Sequence, residues 1–258
     1  MIPPLQLPSD PKRKIRLREA TVNDCIEIAG ADPDHEEEVT TAFLGRVLET
    51  PGEDPLKWTA EDRRLAIYWY WLHTARDIEI PVDYECPFCH GNHVYLQDGR
   101  DIAAEAVDLE GPAFREFEHS GETVRIVPLS GAAAEDLEVS RIGRKVLEDE
   151  GKHAERRRAE VMDRIDYLAM VLRFKDCDQE NAKDFDTRKS RLLRMGKGEF
   201  KELAAKAQQA MDSMAHGLRT VYEAGRVYIE LPVHVCPVAG GSTRIRFPFR
   251  CHDYIAEL

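Results

Sequence analysis

The chain has 258 residues, 43% hydrophobic and 33% charged, the balance of an ordinary globular protein with enough chain for one large core or two small ones. Its net charge of −12 argues against a general phosphate-backbone binder, whose affinity rests on clustered Lys and Arg. No stretch reaches the ~18 apolar residues that span a membrane, and Met1-Ile2-Pro3-Pro4 lacks the charged-then-apolar pattern of a signal. The expected compartment is a reducing cytosol, in which Cys25, Cys86, Cys89, Cys177, Cys236 and Cys251 are free thiols or metal ligands rather than disulfides.

Residues 1–11 carry four prolines and little pattern, which predicts an extended N-terminal arm. Lys14-Ile15-Arg16-Leu17-Arg18-Glu19 alternates polar and apolar, as a half-buried strand does. Thr21 or Asn23 can cap a helix carrying Cys25, Ile26 and Ile28. A second helix is predicted from Glu36 to Leu48, closed by Pro51-Gly52. Thr59-Ala60-Glu61-Asp62 opens a third, with Thr59 as N-cap, acids in the first turn, and Leu65, Tyr68, Trp69 and Leu72 at helical spacing. Ile78–Val82 and His93–Leu96 read as two strands flanking Cys86-Pro87-Phe88-Cys89-His90-Gly91.

A similar order follows. Glu122–Pro128 reads as a strand, and 132–147, 152–174, 185–193 and 199–218 as helices, with Gly196 and Gly198 as punctuation. Tyr228–Val233 leads to Cys236, and Arg244–Phe247 leaves it. Cys236-Pro237-Val238-Ala239-Gly240-Gly241 is a damaged copy of the earlier turn: Gly241 matches Gly91, and Ala239 stands where Cys89 should be. Glu79-Ile80-Pro81-Val82 before one turn matches Glu230-Leu231-Pro232-Val233 before the other. The pattern predicts an α+β protein, mostly helical, with two small β-hairpin zinc knuckles from an internal duplication. The expected division is 12–110 for the first repeat and 111–258 for the second, either separate or fused into one body. Each hairpin alone is too small to be stable, so the two could meet face to face.

Two thiols three positions apart in a tight turn can point at one cation. The redox reading of such a pair needs a helix start to stabilise the thiolate, and here strand patterns lie on both sides. A structural zinc site closes with four ligands. Cys86 and Cys89 supply two, Cys236 is the third choice by its equivalence to Cys86, and His93 is the fourth by its reach from Cys89. His234, two before Cys236, competes with His93, and His90 beside the knuckle Gly reads as solvated. Cys251 would lie roughly 30 Å along a return strand from Gly241. Cys25 and Cys177 read as small core residues. With Ala239 in place of a thiol, the metal could also have been lost.

A closed tetrahedral site does no chemistry, because catalytic zinc needs an open position and a base. Asp34-His35-Glu36-Glu37-Glu38-Val39 begins like a metalloprotease helix, but Val39 stands in place of the second His. No Gly-x-Ser-x-Gly elbow, P-loop or dinucleotide fingerprint occurs, and Gly196-Lys197-Gly198 is too short to cradle phosphate. Tyr68-Trp69-Tyr70-Trp71 could stack on bases or sugars, but at helical spacing it reads as core, with Tyr70 and Trp71 facing a partner.

The layout resembles the T-even-type phage baseplate hub assembly chaperone family of contractile-tailed phages. The resemblance rests on the opening Lys-Ile-Arg-Leu-Arg-Glu strand, the helix over Thr59–Arg76, and the strand into Cys86-Pro87-Phe88-Cys89. It continues through Glu122-Thr123-Val124-Arg125-Ile126, which leads to a helix start at Gly131–Glu135, and ends at Cys236-Pro237. Ala239 and the long charged stretch from Lys145 to Arg194 depart from the family pattern. The resemblance implies a non-enzymatic protein that binds baseplate hub or tail-tube components in the host cytoplasm, either leaving after assembly or staying in the virion baseplate. Buried aromatics would then carry the binding energy, with Trp58, Tyr70 and Trp71 as the first candidates. The competing class is a zinc-ribbon nucleic-acid or transcription-associated module using Arg156-Arg157-Arg158 and Arg244, Arg246 and Arg250. Interleaved Glu residues count against it. A zinc hydrolase would need an open metal position.

Overall fold

In the computed structural model every residue is described except Pro33, residues 150–152, 224–225 and 256–258. The first elements are strands β1 (Leu5–Leu7) and β2 (Asp10–Ile15), then helices α1 (Val22–Ala29), α2 (Glu36–Val47) and α3 (Ala60–Thr74). Strands β3 (Glu79–Glu85) and β4 (Asn92–Asp98), helix α4 (Gly99–Ala104) and strands β5 (Arg115–His119) and β6 (Glu122–Ile126) follow. Helices α5 (Gly131–Asp149) and α6 (His153–Val171), the short strand β7 (Leu172–Arg173), and helices α7 (Ala182–Arg194) and α8 (Lys197–Asp212) come next. Strands β8 (Thr220–Glu223), β9 (Arg226–Val235) and β10 (Ser242–Pro248) and helix α9 (Cys251–Tyr254) complete the order. The class is α+β, as expected. The strands pair antiparallel in small sheets ordered β1-β2, β3-β4, β5-β6-β7 and β10-β9-β8.

Packing divides the chain into two units: Met1–Pro55, Glu61–Asp108 and His216–Leu258 form one, and Leu56–Ala60 and Leu109–Ala215 the other. This differs from the expected division at 110/111. Both cysteine hairpins belong to the same unit, and the stretch 109–215 is inserted between them in sequence. A repeat signal reports similarity of order along the chain. It carries no information on which pieces bury their apolar faces on one another.

In the first unit, residues 1–11 are not the extended arm predicted. Leu5 pairs with Ile15 and Gln6 with Lys14, and Leu5, Leu7 and Ile15 are buried. Three alternating residues are too few to outweigh the prolines around them as a strand signal. The predicted strand Lys14–Glu19 is correspondingly displaced, since β2 ends at Ile15. Arg16 to Arg18 instead run beside the end of α2, with Arg18 N donating to Val47 O (2.8 Å) and Glu49 N to Arg16 O (2.9 Å). Helix α1 is held by a capping box in which Thr21 Oγ1 accepts from Asp24 N, and the Asp24 carboxylate accepts from Thr21 N (2.8 Å). Asp24 also takes a hydrogen bond from Arg18 Nη1 at 2.8 Å. Helix α2 buries Val39, Phe43, Leu44 and Val47, spaced to lie on one face. Phe43 meets Tyr70 of α3 edge to face at a centroid distance of 4.8 Å.

Gly99 opens α4 where no side chain fits. An added Cβ would lie 2.7 Å from the Trp71 ring and 2.9 Å from Tyr68 Oη, which donates to Gly99 O. The Tyr254 ring of α9 packs on both Tyr68 and Trp71.

In the second unit, β5, β6 and β7 form an antiparallel sheet, α5 packs on α6, α6 on α7, and α8 against β5 and β6. The core includes Val124, Ile126, Leu168, Leu172, Phe174, Leu192 and Leu203. A buried guanidinium serves it: Arg188 donates to the carbonyl of Ala169, near the end of α6, and to those of Cys177 and Gln179, on the approach to α7. The predicted start of the 152–174 helix at Lys152 lies outside the described residues. Helix α8 ends at Asp212 rather than at residue 218. Beyond it, in the first unit, Gly217 takes a positive φ of 74° and exchanges two backbone hydrogen bonds with Val107.

Candidate metal centre

The two cysteine turns are built alike. In the first, Cys86 N donates to Gly91 O (3.0 Å) and His90 N to Cys86 O (2.9 Å). In the second, Cys236 N donates to Gly241 O (2.8 Å) and Gly240 N to Cys236 O (2.9 Å). Both turns need one left-handed residue. It is Gly240 (φ 70°) in one and His90 (φ 54°) in the other. The sequence copy is therefore a geometric copy, down to the backbone bonds.

The register extends the correspondence. Tyr84 of β3 pairs with His93 of β4, and His234 of β9 pairs with Thr243 of β10. Thr243 thus stands where His93 stands, as Ala239 stands where Cys89 stands. Three donors come from the first hairpin and only Cys236 from the second. Their ligand atoms, Cys86 Sγ, Cys89 Sγ, Cys236 Sγ and one His93 ring nitrogen, all lie within 4.8 Å of one another. Cys89 Sγ is 3.7 Å from Cys236 Sγ and 3.0 Å from His93 Nε2. Cys86 and Cys236 are buried, Cys89 and His93 half-buried. These four, the residues expected from spacing, are close enough to bind one metal ion.

The electrostatics suit a cation. Ala239 N points at Cys236 Sγ from 3.3 Å. This amide, aided by that of Val238 and by the Cys86 and Cys89 sulfurs, brings the Cys236 thiol down to about 7 against the opposing effect of burial. The position that lost its sulfur still supplies its backbone donor. At Cys89 the Gly91 amide acts downward, but burial and the Cys236 and Cys86 sulfurs outweigh it, so this thiol is raised. A metal ion held by these sulfurs would favour their thiolate forms.

His234 is not among the four. Its ring lies 4.1 Å from that of Tyr95 and 5.6 Å from that of Tyr84, centroid to centroid, so it packs the interface between the two hairpins. His90 is exposed, in agreement with its reading as solvated, and its left-handed backbone takes the place that Gly240 holds in the other turn. Cys251 is buried in α9, where its amide donates to Glu36 Oε2, and burial raises its thiol strongly. Burial likewise pushes the Cys177 thiol up to about 11.

Two of the three aromatic residues expected to bind a partner do not reach a surface. Trp58 and Tyr70 are each 1% exposed. Tyr70 is taken up by Phe43 and by Ala20 N, which donates to its hydroxyl. Trp71 is half-buried against Tyr68 and Tyr254. In Tyr68-Trp69-Tyr70-Trp71 every position is aromatic, so periodicity cannot say which side faces out. A contact that spacing did not reveal joins the two turns: the Phe88 ring covers Gly241. A bare Gly opposite a tip aromatic is its only signal in the sequence.

Four protein donors would complete a tetrahedral shell and leave no position for water or substrate. Comparison of the chain with protein-family models, with characterised proteins and with solved structures finds no match. No helix among the described residues is long and apolar enough to cross a membrane.

Proposed function

We propose that this chain is a non-enzymatic binding protein whose two hairpins are clasped by one structural zinc ion. The observation that carries the reading is the convergence of Cys86, Cys89, His93 and Cys236 from turns about 150 residues apart in sequence. Tetrahedral zinc with Zn–S bonds of about 2.3 Å puts sulfur atoms roughly 3.8 Å apart. The Cys89–Cys236 separation of 3.7 Å fits. Three thiolates and an imidazole suit zinc over the hard cations, which prefer oxygen ligands. A full protein shell favours a structural over a hydrolytic role, because no coordination position remains for a nucleophile.

The resemblance to the phage baseplate hub assembly chaperones supplies the context: transient binding of hub or tail-tube proteins before or during tail assembly. A nucleic-acid partner is less well supported. Arg244 pairs with Glu105 at 2.9 Å and Arg246 with Glu230 at 3.1 Å, so this strand's charge is answered within the chain. Co-expression with the hub and tail-tube proteins of a contractile-tailed phage tests the assignment. A co-purifying complex is expected. Separate elution of every such protein would contradict the assembly role.

A further inference from the structure

The hairpin β3–β4 has two different faces. One, with Val82, Tyr84, His93 and Tyr95, is buried or half-buried and carries a metal ligand. The other is exposed along its length. On β3 it presents Glu79, Pro81, Asp83 and Glu85, and on β4 it presents Val94 and Leu96, which are 65% and 58% exposed. The register sets Asp83 opposite Val94 and Pro81 opposite Leu96. The face therefore sets the carboxylates of β3 beside the aliphatic pair Val94 and Leu96 of β4, about 4.8 Å away, with Asn92 and Asp98 at the two ends of that pair.

None of the three carboxylates has an ion pair among the described residues. Asp83 and Glu85 are next neighbours on one strand face, about 7 Å apart, and repel each other. On the other hairpin of this unit the half-buried Glu230 is answered by Arg219, Arg244 and Arg246. An unanswered acid row beside uncovered aliphatic side chains is complementary to a cationic apolar surface.

We propose that this face docks an amphipathic helix of a partner protein, one with a Leu/Ile/Val stripe flanked by a Lys/Arg stripe. A helix presents such stripes side by side, whereas an extended segment puts alternate residues on opposite faces. The stripe from Glu79 to Glu85 is about 20 Å long, which matches roughly 13 helical residues. The inference rests on reading the chain as a binding protein and does not depend on the identity of the metal.

The test uses the full chain and a labelled synthetic helix of about 16 residues with adjacent Leu and Lys stripes, followed by fluorescence anisotropy. Saturable binding is expected. Asp83→Lys/Glu85→Lys should weaken it about tenfold or more, and so should serine in place of leucine in the peptide, which leaves the protein untouched. Asp108→Lys/Glu110→Lys makes the same change in net charge elsewhere and should cost less than about threefold. Absence of binding, or equal losses in the two charge-reversed variants, would overturn the proposal. So would self-association of Asp83→Ser/Glu85→Ser without peptide binding by the wild type, because the acids would then only guard a sheet edge. Failure of the hub co-expression with peptide binding intact would remove the phage assignment and leave this surface standing.

Discussion

The ring of Phe88, at the tip of one hairpin, lies directly over Gly241 of the other. An added Cβ at 241 would sit 2.6 Å from Phe88 Cδ2, well inside van der Waals contact. The equivalent Gly91 has only ordinary contacts, 3.5 Å to Cys89 Sγ and to His93 Nε2. The two turns share a backbone but not a packing partner, and the asymmetry has consequences that can be measured.

Gly241→Ala should destabilise the protein by about 1–3 kcal/mol, the usual cost of overpacking a closed contact. Gly91→Ala should cost less. Phe88→Ala should remove most of the Gly241→Ala penalty, so the two changes should be strongly non-additive in denaturant melts. Additivity would mean that the ring does not occupy the position described.

His90 holds a left-handed conformation that its copy assigns to Gly240. His90→Gly should therefore raise stability by about 1 kcal/mol with no change in metal content, since His90 is not among the four converging residues. Gly240→Ala should lower stability by a similar amount. Loss of metal in His90→Gly would show that the imidazole participates in the site after all.

Asp24 couples the α1 cap to Arg18. Arg18, then the Thr21 amide and hydroxyl, hold its carboxyl well below the ordinary carboxylate range. A depressed folded pKa contributes stability that is complete above the unfolded value, about 3.9, and is lost as pH falls through the folded value. Wild type should exceed Asp24→Asn by a constant margin from pH 7 to about 5, and the margin should shrink below about pH 4. A margin that grew on acidification would have the wrong sign.

Much of the candidate metal centre was legible in the sequence because its information is local. Cys86 and Cys89 share one turn, His93 is four residues on, and Cys236 is identified by the repeated Pro and Gly around it. Helices with strong start signals, such as those starting after Thr21 and Thr59, were legible for the same reason. What could not be read depends on tertiary partners. β1 is three residues among prolines and becomes a strand only because β2 lies beside it. β5 reads Arg-Glu-Phe-Glu-His and looks like a charged loop until β6 pairs with it. The burial of Trp58 and Tyr70, and the placing of both hairpins in one unit, depend on which pieces of chain meet, and no local pattern encodes that.

The central claim is tested most directly by metal analysis of the purified full chain beside its Cys89→Ser, Cys236→Ser and Cys251→Ser variants. One zinc per chain is expected in the wild type and in Cys251→Ser, with a large loss in both Cys89→Ser and Cys236→Ser. Chelation of the wild type should lower its melting temperature. Equal zinc content in wild type, Cys89→Ser and Cys236→Ser, or no zinc in any of them, would contradict the clasp.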